Sequence, residues 1–327
     1  MTGPASTAGG GTGSGAPAGP GPVLGLAGLA GVGLRARRVR VPLRVSLGGS
    51  SWREAVLVEG PAGWGEFSPL PGYPSDPRAC EEAVREAVVV GWPAPRRSGV
   101  PVNALVPAVE PDRAGELAAE AAAAGITTVK VKVGGGDPAG DVDRVAAVRA
   151  ALGPSGRIRL DANGAWDVET AVAMMRRLGR FDPELVEQPV ADMGDLARVR
   201  RRVGVPVAAD ESLRTLGDAR RLAALEAADA VVVKVQPLGG VRSALRIVEA
   251  AGVPAIVSSL YETSIGLAAG VALAAALPDL PFACGLGTAT LLAGDVVADP
   301  LVPRAGVVPV RRPEPDPALL DRWGIDG

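Results

Sequence analysis

From about residue 100 to residue 300 the chain repeats one unit, a short apolar stretch followed by a longer amphipathic one. The apolar stretches fall at 102–107, 127–133, 158–163, 185–189, 206–211, 230–236, 254–260 and 281–286. Each has the length of a strand. The Ala-, Leu- and Arg-rich segments between them have the length of helices, and Gly125, Gly153 and Gly252 stand where helices would stop. Strands that alternate with helices must pair in parallel, because each helix carries the chain back to the same end of the sheet. Eight such units in roughly 190 residues predict a (β/α)8-type, TIM-like barrel of the α/β class.

The residues before the repeat follow a different period. Val39, Val41, Leu43, Val45 and Leu47 alternate with residues that include Arg40 and Arg44, the pattern of a strand with one buried face. Strands at 54–59 and 63–67 and a helix at 80–90 complete a small α+β unit. The expected organisation is a disordered Gly/Pro/Ala-rich extension at 1–33 and a capping domain at 34–99. The barrel with the active site follows at 100–300, and a proline-rich tail at 301–327 returns to the capping domain. Gly31, Gly33 and Ala36 have the spacing of a dinucleotide fingerprint, but no strand precedes them and no helix follows.

Composition removes several classes of function. A net charge of −2 gives no basic surface for nucleic acid. No apolar run reaches the ~18 residues of a membrane span. Val23 to Leu34 is Gly-rich with no basic residue before it, so a secretory signal is not expected and the cytoplasm is. Cys80 and Cys284 fit no metal spacing and read as two unpaired thiols. The oligomeric state stays open.

The basic residues say more. Histidine is absent, and of 34 Lys plus Arg only Lys130, Lys132 and Lys234 are lysine. Where a charge merely solvates a surface, this chain uses arginine. Guanidinium keeps its proton in proteins, whereas an amine can give its proton up. All three lysines lie inside apolar strand patterns.

In a barrel of this type, catalytic groups stand at the C-terminal ends of the strands. Lys130 and Lys132 are two apart and share a face, as do Asp161 and Asn163. Glu187 ends the next strand, Asp210 and Glu211 the one after, and Lys234 lies on the sixth. Asp161, Glu187 and Asp210 are therefore expected to converge. Three carboxylates in a low-dielectric mouth require a cation, and oxygen ligands alone suit Mg²⁺ or Mn²⁺. Lys130 and Lys132 lie to one side of that point and Lys234 to the other. This arrangement suits removal of a proton next to a carboxylate: one lysine takes the proton while the metal and another lysine hold the enediolate. Asn163, Arg159, Glu211 and Ser259 are expected around these groups or against substrate, with Glu211 either paired to Lys234 or supporting from behind. Gly65, Glu66 and Phe67 face substrate or form a buried hairpin, and Trp166 reads as packing.

These residues resemble those of the enolase superfamily, and over residues 37 to 312 they are similar to its muconate-lactonizing-enzyme subgroup. The likeness rests on the Lys130/Lys132 pair, Asp161-Ala-Asn163, Glu187-Gln-Pro, Asp210-Glu-Ser and Lys234. It rests also on Gly63-Trp-Gly-Glu-Phe-Ser-Pro, Val100-Pro-Val-Asn-Ala, Val233-Lys-Val-Gln-Pro-Leu-Gly-Gly and Glu262-Thr-Ser-Ile-Gly-Leu. The resemblance implies dehydration of 2-succinyl-6-hydroxy-2,4-cyclohexadiene-1-carboxylate in menaquinone biosynthesis. It makes Lys132 the acid/base and Lys234 the stabiliser of the enediolate. Lys130 neutralises the substrate carboxylate or tunes Lys132, and Asp161, Glu187 and Asp210 ligate Mg²⁺. The same site could racemise N-succinylamino acids, and a catalytically silent metal-binding barrel is the reading from another class.

Overall fold

The computed structural model describes residues 34–47 and 50–325; the extension expected at 1–33 lies outside them. The chain opens with three antiparallel strands, β1 (Arg35–Leu47), β2 (Ser50–Gly60) and β3 (Gly63–Phe67), in the order β1-β2-β3. Alternation along β1 buries Val39 and Val41 against Ala55 and Leu57 of β2. Helix α1 (Pro77–Arg85) starts on the Asp76 side chain, which accepts from the Arg78 amide, and has proline in its first turn. The helix expected at 80–90 continues past α1 as a wider π-helical turn at Glu86–Val90.

The barrel follows the short strand β4 (Gly99–Pro101). Its parallel strands are β5 (Ala104–Val106), β6 (Thr128–Lys132), β7 (Arg157–Asp161), β8 (Pro183–Glu187), β9 (Val207–Ala209), β10 (Ala230–Val233) and β11 (Ala255–Val257). Their order is strictly sequential, β11-β10-β9-β8-β7-β6-β5. The intervening helices are α2 (Pro111–Ala123), α3 (Pro138–Leu152), α4 (Val168–Leu178), α5 (Met193–Arg200), α6 (Leu216–Leu225), α7 (Val241–Ala251) and α8 (Ser264–Ala276). The main core lies between strands and helices, where Val129, Val131, Ile158 and Leu160 are fully buried. The interior of the ring holds a smaller cluster of Leu185, Ala208, Ala230, Val232 and Ile256, with Phe282 against it.

The eighth strand, expected at 281–286, is not a strand of this sheet. The segment contributes isolated parallel bridges, Val102 with Cys284 and Ser258 with Gly285. The amide of Cys284 donates to Pro101 O at 2.8 Å and that of Gly285 to Val257 O at 2.8 Å, which closes the ring between β11 and the chain entering β5. Pro281 has no amide to give and Gly285 and Gly287 have no side chain to pack, so the ladder cannot lengthen there.

Three contacts join the tail, the cap and the barrel. Strand β12 (Val307–Pro309) pairs antiparallel with β4, and helix α9 (Pro317–Trp323) lies against β1. On the other side Glu66, buried on β3, accepts from Ser68 Oγ at 2.6 Å, from Thr263 Oγ1, and from the amides of Thr263 (3.3 Å) and Gly266 (3.0 Å). It therefore sits on the N-terminus of α8, where unpaired amides favour a carboxylate. Glycine is required at 266, since a Cβ there would stand 2.8 Å from Glu66 Cδ. Of the two readings of the 65–67 segment, the structure shows the buried hairpin.

Candidate active site

Alternation on β6 sends Val129 and Val131 into the outer core and turns Lys130 and Lys132 inward. In register with them, Lys132 pairs with Asp161 at the end of β7, and Asp161 with Glu187 at the end of β8. Asp210 follows β9 directly and Lys234 follows β10. Lys130, Lys132, Asp161, Asp210 and Lys234 line a cavity of about 560 Å³ at the C-terminal mouth of the barrel. Strands β6 and β10 stand four places apart in the ring, so the two lysine groups face each other across it.

The carboxylates do not meet at a single point. Lys130 Nζ lies 2.8 Å from Asp161 Oδ2 and 3.0 Å from Glu187 Oε1, one ammonium shared by two strands. Lys132 Nζ donates to Asp161 Oδ2 at 2.6 Å and to Asn163 Oδ1 at 2.5 Å. Asp210 instead pairs with Lys234 and accepts from Tyr73 Oη at 3.0 Å. Among the described residues no group of three acidic or sulfur ligands gathers closely enough to hold a metal as placed. The ammonium groups of Lys130 and Lys234 lie against these carboxylates. The donor chemistry suits a hard cation, because Asp161, Glu187 and Asp210 offer carboxylate oxygens alone.

The charges explain the titration of the groups. Burial alone would push Asp161 up, but Lys130 and Lys132 together hold it well below the usual carboxylate range. Glu187 is pushed up to about 8, by burial first and then by the Asp161 charge. Burial opposes a charge on Lys130 and Lys234, yet the carboxylates beside them raise both above the ordinary lysine value.

The surrounding residues divide. Asn163 bridges Lys132 to Glu211, donating from Nδ2 to Oε1 at 2.8 Å. Glu211 is thus engaged by Asn163, and the ion pair of Lys234 goes to Asp210 instead. Ser259 lines the cavity, with its hydroxyl on Gly285 O at 2.7 Å and Thr288 Oγ1 at 2.8 Å. Arg159 does not line it. Its Nε donates to Glu184 Oε2 at 2.5 Å and its Nη1 to Ala283 O at 2.6 Å, in the floor of the barrel. A position two residues before Asp161 shares its face but lies about 6.6 Å deeper, at ~3.3 Å per residue. Trp166 packs against the main core.

Sequence reasoning missed three groups here. Gln188 Oε1 accepts from the Asp210 amide at 2.7 Å and fixes the turn after β9. Tyr73 reaches in from the loop between β3 and α1, its ring 4.5 Å from Lys234 Nζ. Tyr261 lines the same cavity from the loop after β11.

A family model described as enolase C-terminal domain-like matches residues 113–315, and one described as enolase N-terminal domain-like matches residues 38–82. The chain belongs to the enolase superfamily. The o-succinylbenzoate synthase of Thermobifida fusca is 57% identical over 295 residues, covering 89% of this chain and 92% of that one. The o-succinylbenzoate synthase of Mycobacterium tuberculosis (H37Rv) is 45% identical over 289 residues, 88% of this chain and 87% of that one. Within the superfamily this enzyme falls in the o-succinylbenzoate synthase family. The fold is shared with solved structures at low identity. A muconate lactonizing enzyme from Pseudomonas fluorescens has a TM-score of 0.79 at 22% identity, covering 90% of this chain and 99% of that one. An N-succinyl Arg/Lys racemase from Bacillus cereus has 0.80 at 22%, covering 90% and 97%.

Among the described residues no helix is long and apolar enough to cross a membrane.

Proposed function

We propose that this enzyme is a carbon–oxygen lyase that dehydrates 2-succinyl-6-hydroxy-2,4-cyclohexadiene-1-carboxylate to o-succinylbenzoate, a step of menaquinone biosynthesis. One observation carries the reading. Two lysine groups face each other across a carboxylate-lined mouth, in a chain that has three lysines in all and 57% identity to a named o-succinylbenzoate synthase.

Lys132 Nζ, acting as a free amine, takes the proton from the ring carbon that bears the carboxylate. The electron pair left behind moves into the carboxylate as an enediolate. Lys234 faces that charge from the opposite side as a cation. When the enediolate collapses, the bond from the neighbouring carbon to its hydroxyl breaks. Lys132 returns its proton to that oxygen, water leaves and the ring becomes aromatic. Asn163 holds Lys132 in place and is itself held by Glu211. Lys130 offsets the Asp161 and Glu187 charges. Asp161, Glu187 and Asp210 are the residues that would hold Mg²⁺ or Mn²⁺, which supplies a positive charge to the substrate carboxylate as the enediolate forms.

A second reading, racemisation of N-succinylamino acids, is favoured by the same opposed lysines, because it needs a proton carrier on each side. The catalytically silent barrel is set aside, since the chain belongs to a family of enzymes.

The test is to assay the purified protein on both substrates, with excess chelator and after restoring Mg²⁺ or Mn²⁺. Dehydration should stop in chelator and return with metal. Full turnover in chelator contradicts the metal assignment, and racemisation without dehydration contradicts the lyase.

A further inference from the structure

Among the described residues six non-glycines hold a left-handed backbone, and three of them stand at the catalytic mouth: Asn163 (φ 46°), Gln188 (φ 39°) and Tyr261 (φ 61°). This conformation is unfavourable for residues with a Cβ and most so for a bulky one, and it persists only where the surroundings enforce it. At two of the three positions the side chain shows what the strain achieves. Asn163 delivers its amide to Lys132 and Glu211. Gln188 delivers its amide to the Asp210 backbone and to Ser212.

The backbone around Tyr261 is held by its neighbours. The Leu260 amide donates to the buried carboxylate of Glu262 at 2.7 Å, so the residues on both sides of Tyr261 are pinned to each other. Thr263 then caps α8, with its own hydroxyl on Glu66. Yet the Tyr261 hydroxyl has no hydrogen-bond partner among the described residues, whereas Tyr73 and Ser259 in the same cavity both have theirs. Tyr261 lines the same cavity as Lys130, Asp161 and Lys234. These are the only two tyrosines in 327 residues, and both line this cavity.

We infer that Tyr261 is a further catalytic residue: its hydroxyl donates a hydrogen bond to the substrate carboxylate oxygen on which charge develops as the proton leaves. The inference rests on the dehydration reading above. The missing partner of this strained side chain is the substrate, as Lys132 and Asp210 are the partners of the other two. A preorganised donor of this kind acts mainly on the charged species formed during the reaction.

Tyr261→Phe keeps the ring and the backbone and removes the donor. Four quantities are to be measured on the Mg²⁺-loaded wild type and variant: kcat, KM, Tm and the Kd of o-succinylbenzoate by calorimetry. Loss of one such donor should lower kcat by about 10²-fold. KM, product Kd and Tm should stay within about threefold, threefold and 2 °C, since the hydroxyl makes no bond within the protein. A variant with kcat within threefold of wild type overturns the inference, and so does one whose product affinity falls as far as its kcat. A wild type that neither turns over the cyclohexadiene nor binds the product overturns this inference and the functional reading together.

Discussion

Arg159 and Asp161 stand two residues apart on one face of β7, and they belong to different worlds. Arg159 is buried in the barrel floor, paired to Glu184, with its guanidinium 5.4 Å from the Phe282 ring centroid and one nitrogen, Nη2, without a partner. Asp161 is equally buried but meets two lysine ammonium groups beside an open cavity. The floor uses a cation that never loses its proton and ties it into a fixed fork. The mouth uses lysines, a residue type whose amine can give up its proton, as proposed for Lys132. Both places bear the desolvation cost of buried charge, and only the mouth keeps the groups within reach of a ligand. Which basic residue is present therefore separates structural from chemical charge more reliably than burial does.

Arg159→Met is the strongest way to break this comparison. It strands Glu184 in the floor beside Leu185, and breaking a buried pair typically costs about 3–5 kcal/mol. Urea unfolding should show a loss near the lower figure, because Glu184 is partly exposed and also meets Arg157. The kcat of the remaining folded enzyme should stay within about threefold of wild type. A large fall in kcat with intact stability would move Arg159 to the mouth.

A smaller effect concerns the seam between cap and barrel, where a carboxylate is buried against neutral donors. Burial, together with the nearby Glu262 charge, pushes Glu66 up to about 7 from 4.5, against the hydrogen bonds of Ser68 and Thr263. The folded state then binds more protons than the unfolded one between those values, so this group's contribution to stability falls as pH rises through that window. Glu66→Gln is neutral throughout. The difference in Tm, variant minus wild type, should grow between pH 4.5 and 7 and level off above it. A difference that does not change with pH would show that Glu66 titrates as an ordinary carboxylate.

Much of this was legible in the sequence, for reasons that also mark the limits. Period-two spacing put Lys130 and Lys132 on one face, and their scarcity marked them out. The same spacing gives a face and no depth, which is why Arg159 looked like a neighbour of the site. Strand-length apolar stretches gave seven strands correctly, but the eighth rests on single bridges at Cys284 and Gly285 that no periodicity encodes. The left-handed backbone of Gln188 and Tyr261 carries no glycine to announce it. The two tyrosines could have been found: the scarcity argument applied to lysine applies equally to them. Asp210 meets Tyr73 as well as Lys234, and Tyr73 comes from a loop outside the barrel, about which strand spacing says nothing.

The central claim is that Lys132 moves the proton while Lys234 stays a cation, and one measurement addresses it directly. It is kcat/KM for dehydration in Lys132→Arg and Lys234→Arg, with product binding checked in both. Guanidinium keeps the charge but is not a usable base. Lys132→Arg should lose about 10⁴-fold or more, since the residue acts both as base and as acid. Lys234→Arg should retain measurable dehydration, whereas racemisation, where present, should collapse in both variants. Lys132→Arg within about tenfold of wild type would place the base on another residue and contradict the mechanism.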